Sequence, residues 1–142
     1  MQKLNIAILS YRSAQFGGGQ GVYVRDISLA LKLKGHNVDV ISGPPYPNLY
    51  DGINLIKLPG LNLFETFSFR DRLKKFIKKK NKKFDHYYEF LSVLFGGFPE
   101  PKTFGNRVNR YLKLNDHYDL IIDNQSLSCL LYTSDAADEW RS

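Results

Sequence analysis

The sequence has one cysteine, no long apolar run and no clustered histidines. A single cysteine cannot form an internal disulfide, which fits a reducing compartment. No apolar run approaches the length of a membrane span, and Met1 to Ser10 are too few and too polar for a signal peptide. His36, His86 and His117 lack the spacing of metal ligands. We therefore expect a cytoplasmic protein with no histidine-based metal site.

The length and charge of the chain are those of one ordinary globular domain. Its 142 residues are 43% apolar and 24% charged, which suffices for a single hydrophobic core. The formal net charge of +6 points toward anionic surfaces or substrates, although a lysine-rich chain is often merely soluble.

The chain begins with a strand, a glycine-rich loop, a helix and a second strand. An apolar run from Leu4 to Leu9 suits a strand buried on both faces of a parallel sheet. Helical spacing predicts a helix over Val22 to Lys34, which Gly35 ends by adopting a positive φ. Val38 to Ile41 supplies the next strand. The pattern predicts a βαβ unit with its loop over Tyr11 to Gly21.

Four glycines in five residues make that loop a candidate ligand site. They allow close approach of the backbone, and the N–H groups of the following helical turn favour an anion such as phosphate. The spacing does not fit a dinucleotide fingerprint, because Ser42-Gly43 replaces the expected acid, and no Gly-Lys-Ser/Thr tripeptide marks a Walker loop. The alternative is a flexible turn that only joins strand to helix. The glycines are Gly17, Gly18, Gly19 and Gly21.

Two further strands complete a predicted parallel sheet. Ile53 to Leu58 alternates as a third strand, and Asp119 to Asp123 is typical of another buried parallel strand. Between them, Gly96 to Gly105 is predicted as a rigid loop between helices. The fold class is therefore α/β, a Rossmann-like parallel sheet with helices on both faces. Asn124 and Gln125 follow the last strand, where ligands of such sheets bind.

The middle of the chain is strongly basic. Nine lysines and arginines lie between Arg70 and Lys83, and Leu73, Phe76 and Ile77 interrupt them at helical spacing. One interpretation is a solvated surface helix. The other is a helix that rests on an anionic membrane at the inner face, where each Lys or Arg adds about 1 kcal/mol. Nucleic acid is not expected as a partner, because the aromatic residues are not interleaved for base stacking.

The end of the chain resembles the translation of a transposase-type sequencing-library adapter. The match covers eleven consecutive residues, Cys129 to Glu139. Engineered segments are excluded from fold reasoning, so residues 129–142 are interpreted as a non-native tail. We expect the natural part of this sequence to end near Ser128, and the natural gene to encode further residues after that point.

With these pieces placed, residues 1–128 resemble the amino-terminal half of a family-4 glycosyltransferase of the GT-B fold. The resemblance rests first on the glycine loop, the arginine-bearing helix and the entry to the second strand. Two later blocks resemble a bacterial subgroup of the family. The matching segments are Phe16 to Gly21, Val24-Arg25-Asp26, Leu29-Ala30, Leu33, Gly35-His36-Asn37-Val38, Gly97 to Pro101, Thr103-Phe104-Gly105 and Tyr118 to Leu127.

The resemblance implies a retaining transfer of a sugar from a nucleotide-sugar donor to an unknown acceptor, with a lipid-linked acceptor as one alternative. Residues 1–128 would form the acceptor-side domain, with a basic helical insertion near residues 61–105, and most of the donor site would lie in a second domain. The truncated chain is then expected to be inactive alone. No cofactor or metal is implied. A different alternative is a stand-alone, non-catalytic Rossmann-like module that binds phosphate or another anion.

The resemblance also implies roles for particular residues. Gly18 and Gly19 would approach the diphosphate or acceptor through backbone N–H groups, and Arg25 would balance phosphate charge. Many relatives place a histidine after the fourth strand, where Asn124 or Gln125 would hydrogen-bond instead. The catalytic residues remain unassigned. The full set of candidate binding residues is Gly17, Gly18, Gly19, Gln20, Gly21, Arg25, Glu100, Asn124 and Gln125.

Overall fold

Four parallel strands form the centre of the molecule. The computed structural model describes residues 2–13, 19–60, 91 and 100–124. The sheet has the order β3-β2-β1-β4, and all three strand pairs are parallel. This confirms the predicted α/β, Rossmann-like class. The elements are β1 Asn5–Ser10, α1 Gly19–Leu33, β2 Asn37–Ser42, β3 Asn54–Lys57, α2 Glu100–Leu114 and β4 Leu120–Asp123.

Strand β1 is buried on both faces, as its unbroken apolar sequence predicts. Ile6 and Ile8 point to one face of the sheet, and Ala7 and Leu9 point to the other, because successive side chains of a strand alternate. All four are at most 3% exposed. Each face of the sheet must therefore be covered by another element, and one helix packs against each face.

Helix α1 covers the face of Ile6 and Ile8. Its Val24 is fully buried among them and the valines of β2. Gly35 ends the helix as predicted, with φ +94° and its N–H donating to the Lys32 carbonyl at 2.9 Å. The predicted start at Val22 is wrong, since Gly19–Gly21 already belong to the helix. The first N–H groups of a helix need no acceptor within it, so glycines are tolerated there.

Helix α2 covers the opposite face. Phe104 and Val108 pack against Ala7 and Leu9, in the core cluster on that face of the sheet. The prediction of a rigid loop over Gly96 to Gly105 is wrong from Glu100 onward, because α2 begins at Glu100. Pro101 lies in the first turn of the helix, where a proline breaks no intrahelical hydrogen bond. Burial of Phe104 further stabilises the helical conformation.

Strand β4 is parallel to β1, as predicted, but it is not buried. Leu120 and Ile121 are 43% and 42% exposed, whereas Ile122 packs against the core on the α1 face. The strand is the outermost one beside β1, so a second neighbouring strand does not shield it among the described residues. The prediction of a buried strand was wrong because an apolar sequence does not specify a strand's place in the sheet.

Several predictions fall on residues that lie outside the described part of the chain. These are the glycines Gly17 and Gly18, the basic helix Arg70 to Lys83, Gln125 and the adapter-like tail. Association of the basic helix with an anionic membrane therefore stays a prediction. In the described ranges, the helices lack the combination of length and apolarity that crossing a bilayer requires.

Candidate functional site

The candidate site lies at the carboxyl end of the sheet, defined by the last residues of the four strands: Ser10, Ser42, Lys57 and Asp123. Because the strands are parallel, these residues lie at one end of the sheet. Open α/β sheets bind their ligands there. The opposite end, which carries the first strand residues, is called the amino end below.

Both helices direct their amino termini to the carboxyl end. Helix α1 follows β1 and returns to the amino end, where the Asn37 N–H donates to the Leu4 carbonyl at 2.8 Å. Helix α2 brings Phe104, in its first turns, to 5.8 Å from the Tyr11 ring, measured between ring centroids. The positive ends of two helix dipoles therefore face the same end of the sheet.

The amino terminus of α1 contains three of the predicted site residues. Gly19 and Gln20 are exposed, and Gly21 is buried. No acidic side chain lies in the first turn, so the helix does not neutralise its own positive end. A Cβ atom added at Gly19 would meet nothing within 4 Å. The backbone at Gly19 is thus open to a ligand approaching from solvent.

The connections that leave β1 and β2 are joined to each other. The Ser13 N–H donates to the Pro45 carbonyl at 3.1 Å, and the buried hydroxyls of Ser10 and Ser13 are hydrogen-bonded. Gly43 packs so closely that an added Cβ would lie 2.8 Å from the Tyr11 carbonyl oxygen. This junction was not predicted from the sequence. The available signal was the small residues directly after two strand ends.

Asn124 lies at the end of β4. Its backbone N–H donates to the Leu9 carbonyl at 3.1 Å and continues the pairing of β4 with β1. Its side-chain Nδ2 is shielded from solvent and has no hydrogen-bond partner among the described residues. An unpaired buried amide donor is costly, so a ligand acceptor that pairs with it would gain the lost hydrogen bond.

Arg25 lies farther along α1. Its Nε donates to Asp26 Oδ1 at 2.9 Å, and its guanidinium lies 5.1 Å from the centroid of the Tyr50 ring. The hydrogen bond to Asp26 raises the pKa of Arg25, which keeps the side chain cationic. Tyr50 belongs to the connection between β2 and β3. The role of Arg25 in phosphate binding stays a prediction, as does that of Glu100, whose backbone begins α2.

Two interactions of Tyr46, near the end of β3, were not predicted from the sequence. Lys57 Nζ lies 5.3 Å from the centroid of the Tyr46 ring. Burial raises the pKa of Tyr46, and the positive charge of Arg107 partly opposes that effect. Sequence spacing offered no signal for these interactions, because the residues come from a loop, a strand and a distant helix.

At the amino end, polar side chains are paired with one another. Asp119 Oδ2 accepts from the Asn5 N–H at 2.7 Å, and His36 Nδ1 accepts from the Leu4 N–H at 3.3 Å. Asp39 accepts from the Tyr118 hydroxyl at 2.7 Å and from Asn54 Nδ2 at 3.1 Å. In the described ranges, no group of three potential ligands has the geometry to hold a metal ion.

A comparison with known proteins gives one informative similarity, while no protein-family model matches the chain. The chain is 43% identical over 127 residues to a protein of Mycolicibacterium hassiacum described as an MMP alpha-(1->4)-mannosyltransferase. The alignment covers 87% of this chain but only 30% of the relative. The chain therefore spans less than a third of the length of the relative that it resembles.

Proposed function

We propose that this chain is the acceptor-side domain of a glycosyltransferase. The observation that carries the proposal is the 43% identity to a mannosyltransferase over 87% of the chain. The whole protein would transfer a sugar from a nucleotide-sugar donor to an acceptor, and a mannose donor is the first one to test. Further parts of the proposal are membership of family 4, the GT-B fold and retention of configuration.

The geometry at the start of α1 supports a role in binding the donor diphosphate. The phosphates would lie in front of the first helical turn, where the N–H groups of Gly19–Gly21 lack acceptors within the helix. The positive end of the helix dipole favours their charge. Asn124 Nδ2, at the same end of the sheet, offers a buried donor to a hydroxyl or phosphate oxygen. These groups bind and orient a substrate, and the catalytic groups would lie in a second domain.

The two-domain arrangement predicts that these 142 residues alone transfer no sugar. The test requires the gene to be extended past the Ser128 codon and the longer protein to be assayed with a panel of nucleotide sugars. Turnover by the longer protein, together with none by the present chain, is the expected result. Sugar transfer by the 142 residues alone would contradict the proposal that the catalytic groups lie in a second domain. A natural stop codon close to Ser128 would favour the non-catalytic anion-binding module.

Within the longer protein, Gly19→Val tests the glycine loop. A branched side chain would fill the space in front of the first turn, so we expect kcat/KM for the donor to fall about tenfold or more. Leu33→Val, at the exposed last position of the same helix, is the matched control and should keep wild-type kinetics. Equal kinetics for both variants and the wild type would show that the loop is only a connector.

A further inference from the structure

Helix α1 has apolar side chains on the face that points away from the sheet as well as on the face that packs against it. On the outer face, Val22 and Tyr23 are 43% and 52% exposed, and Leu33 is 78% exposed. A smaller exposed residue and a half-buried leucine lie beside them. We call these five residues the outer stripe: Val22, Tyr23, Leu29, Ala30 and Leu33.

The spacing of the outer stripe is that of a helix that packs against a second helix. Val22, Leu29 and Leu33 are seven and four positions apart, or about two turns and one turn, so they form one row along the helix. Tyr23 and Ala30, also seven positions apart, form a neighbouring row. Apolar rows of this period are the surfaces through which helices contact each other. Isolated exposed apolar residues on a protein surface would have no such period.

The charged residues of α1 do not make this face strongly polar. Arg25 Nε donates to Asp26 Oδ1 at 2.9 Å, and the ammonium group of Lys32 donates to the Gly52 carbonyl. Asp26 is the charged residue that lies within the outer stripe, and it is paired with its neighbour in the same helix. The outer face of α1 therefore consists mainly of apolar groups.

Helix α2 provides a comparison within the same chain. The four positions of α2 that have the spacing of residues 22, 26, 29 and 33 of α1 are all polar. Three of them are exposed and one is half-buried, as in α1. A polar outer face is what a helix at the protein surface normally has. The apolar outer face of α1 thus indicates a covering element. The four residues of α2 are Lys102, Asn106, Asn109 and Lys113.

The size of the outer stripe favours a covering element from the same polypeptide. A helix of 15 residues is about 22 Å long and about 10 Å wide, so a second helix would cover only a few hundred Å² of it. Stable complexes between separate chains bury about 800 Å² on each partner. A segment of the same polypeptide needs less area, because its effective concentration is high. The aligned 127 residues are 30% of the mannosyltransferase relative, whose remainder is more than twice as long.

We propose that the outer stripe is the docking surface for an amphipathic helix from the part of the longer protein that follows residue 128. The inference rests on the proposed function, under which the polypeptide continues past that residue. The docked side of the helix would carry small and aliphatic side chains, with a polar group opposite Asp26, because burial of an unpaired carboxylate is costly. Val22 and Tyr23 directly follow Gly19–Gly21, so the docked helix would also hold the glycine turn in place.

The test measures alkylation of single cysteines on the outer faces of the two helices. Ala30→Cys probes the outer stripe, and Asn106→Cys, at an exposed position of α2, is the matched control. Both are made in the 142-residue chain with Cys129→Ser and in the longer protein, and mass spectrometry follows the reaction of each site with a maleimide. We expect Ala30→Cys to react about tenfold or more slowly in the longer protein than in the 142-residue chain. The rates for Asn106→Cys should agree within about twofold.

The slow reaction should not depend on protein concentration, because a helix of the same polypeptide docks at any dilution. Slowing that increases with concentration would assign the outer stripe to a second copy and overturn the proposal. Fast reaction of Ala30→Cys in both proteins would overturn it as well, because the stripe is then open to solvent. Equally slow reaction in both would show that residues 1–142 cover the stripe themselves, which also contradicts the proposal.

The outcome can be separated from the test of sugar transfer, because alkylation does not require turnover. Sugar transfer by the longer protein without protection of Ala30→Cys would overturn this inference alone. Protection of Ala30→Cys in a longer protein that transfers no sugar would support the docked helix and contradict the glycosyltransferase proposal.

Discussion

The two ends of the sheet use their polar residues differently. At the amino end, side chains from neighbouring strands and loops bond one another, as Asn5, Asn37 and Asp119 do across three strand starts. The carboxyl end has the amino termini of two helices, the exposed Gly19, and the side-chain amide of Asn124, which lacks a hydrogen-bond partner among the described residues. Polar groups that pair with each other stabilise the fold, whereas an unpaired polar group at the carboxyl end of such a sheet is suited to a ligand.

Substitutions at the two ends should therefore differ in their effects on stability and on anion binding. Changes at the amino end should lower the free energy of unfolding and leave anion binding intact in the molecules that remain folded. Changes in the first turn of α1 should do the reverse. Gly43 is an exception at the carboxyl end. Its substitution should lower the free energy of unfolding, because the residue is tightly packed.

The largest expected effect on stability is that of Asp39→Ala at the amino end. The substitution removes the acceptor of both Tyr118 and Asn54, and hydrogen bonds to a charged group contribute more than neutral ones. We expect the free energy of unfolding to fall by about 3 kcal/mol, measured by urea denaturation. Asp116→Ala, at an exposed position near Tyr118 in sequence, is the control and should change stability by less than about 0.5 kcal/mol.

Gly43→Ala should have the next largest effect. Its Cβ would lie 2.8 Å from the Tyr11 carbonyl oxygen and 3.2 Å from the Phe104 ring, so backbone or ring must move. Overpacking of this kind costs about 2 kcal/mol. Gly19→Ala is the matched control, because its Cβ meets nothing within 4 Å and its stability should be unchanged or higher. Equal thermal unfolding midpoints for the two variants would show that the junction yields without cost.

Tyr118→Phe should have the smallest effect at neutral pH, about 1 kcal/mol, and a distinctive dependence on pH. Burial, together with hydrogen bonds involving Asp39 and Tyr111, raises the pKa of Tyr118 above its ordinary value of 10.0. The folded state therefore retains a proton that the unfolded chain releases above about pH 10. The contribution of Tyr118 to stability is present below that pH and is lost as the pH rises further.

The measurement compares the wild type with Tyr118→Phe in urea at neutral pH and above pH 10. The difference in unfolding free energy between the two proteins should shrink as the pH rises, because only the wild type has a phenol at this position whose ionisation lowers stability. The other tyrosines are common to both proteins and cancel in the difference. A constant difference across this range would show that the folded environment does not shift the ionisation of Tyr118.

Much of the architecture could be predicted because local periodicity specifies it. The βαβ start, the parallel strands and the termination of α1 at Gly35 follow from apolar patterning and from the positive φ that glycine adopts readily. Predictions of boundaries were weaker. Gly19–Gly21 and Pro101 have low helix propensity, yet they lie in first turns, where the usual penalties of glycine and proline are small.

The candidate site was predictable only in part. Gly19 and Asn124 were identified because they follow strands, and the ends of parallel strands are where such sheets bind ligands. The contact between Lys57 and the Tyr46 ring was not identified, since no sequence periodicity relates a loop residue to a strand residue.

The sequence by itself determined the class of fold, because alternation and helical spacing report which faces of each element avoid water. It also determined where α1 ends, because Gly35 adopts a positive φ readily. Only the tertiary structure decided the order β3-β2-β1-β4, and with it the exposure of Leu120 and Ile121 on the outer strand. The same order places Lys57 far from Asp123, because distances across a sheet depend on strand order rather than on separation along the chain.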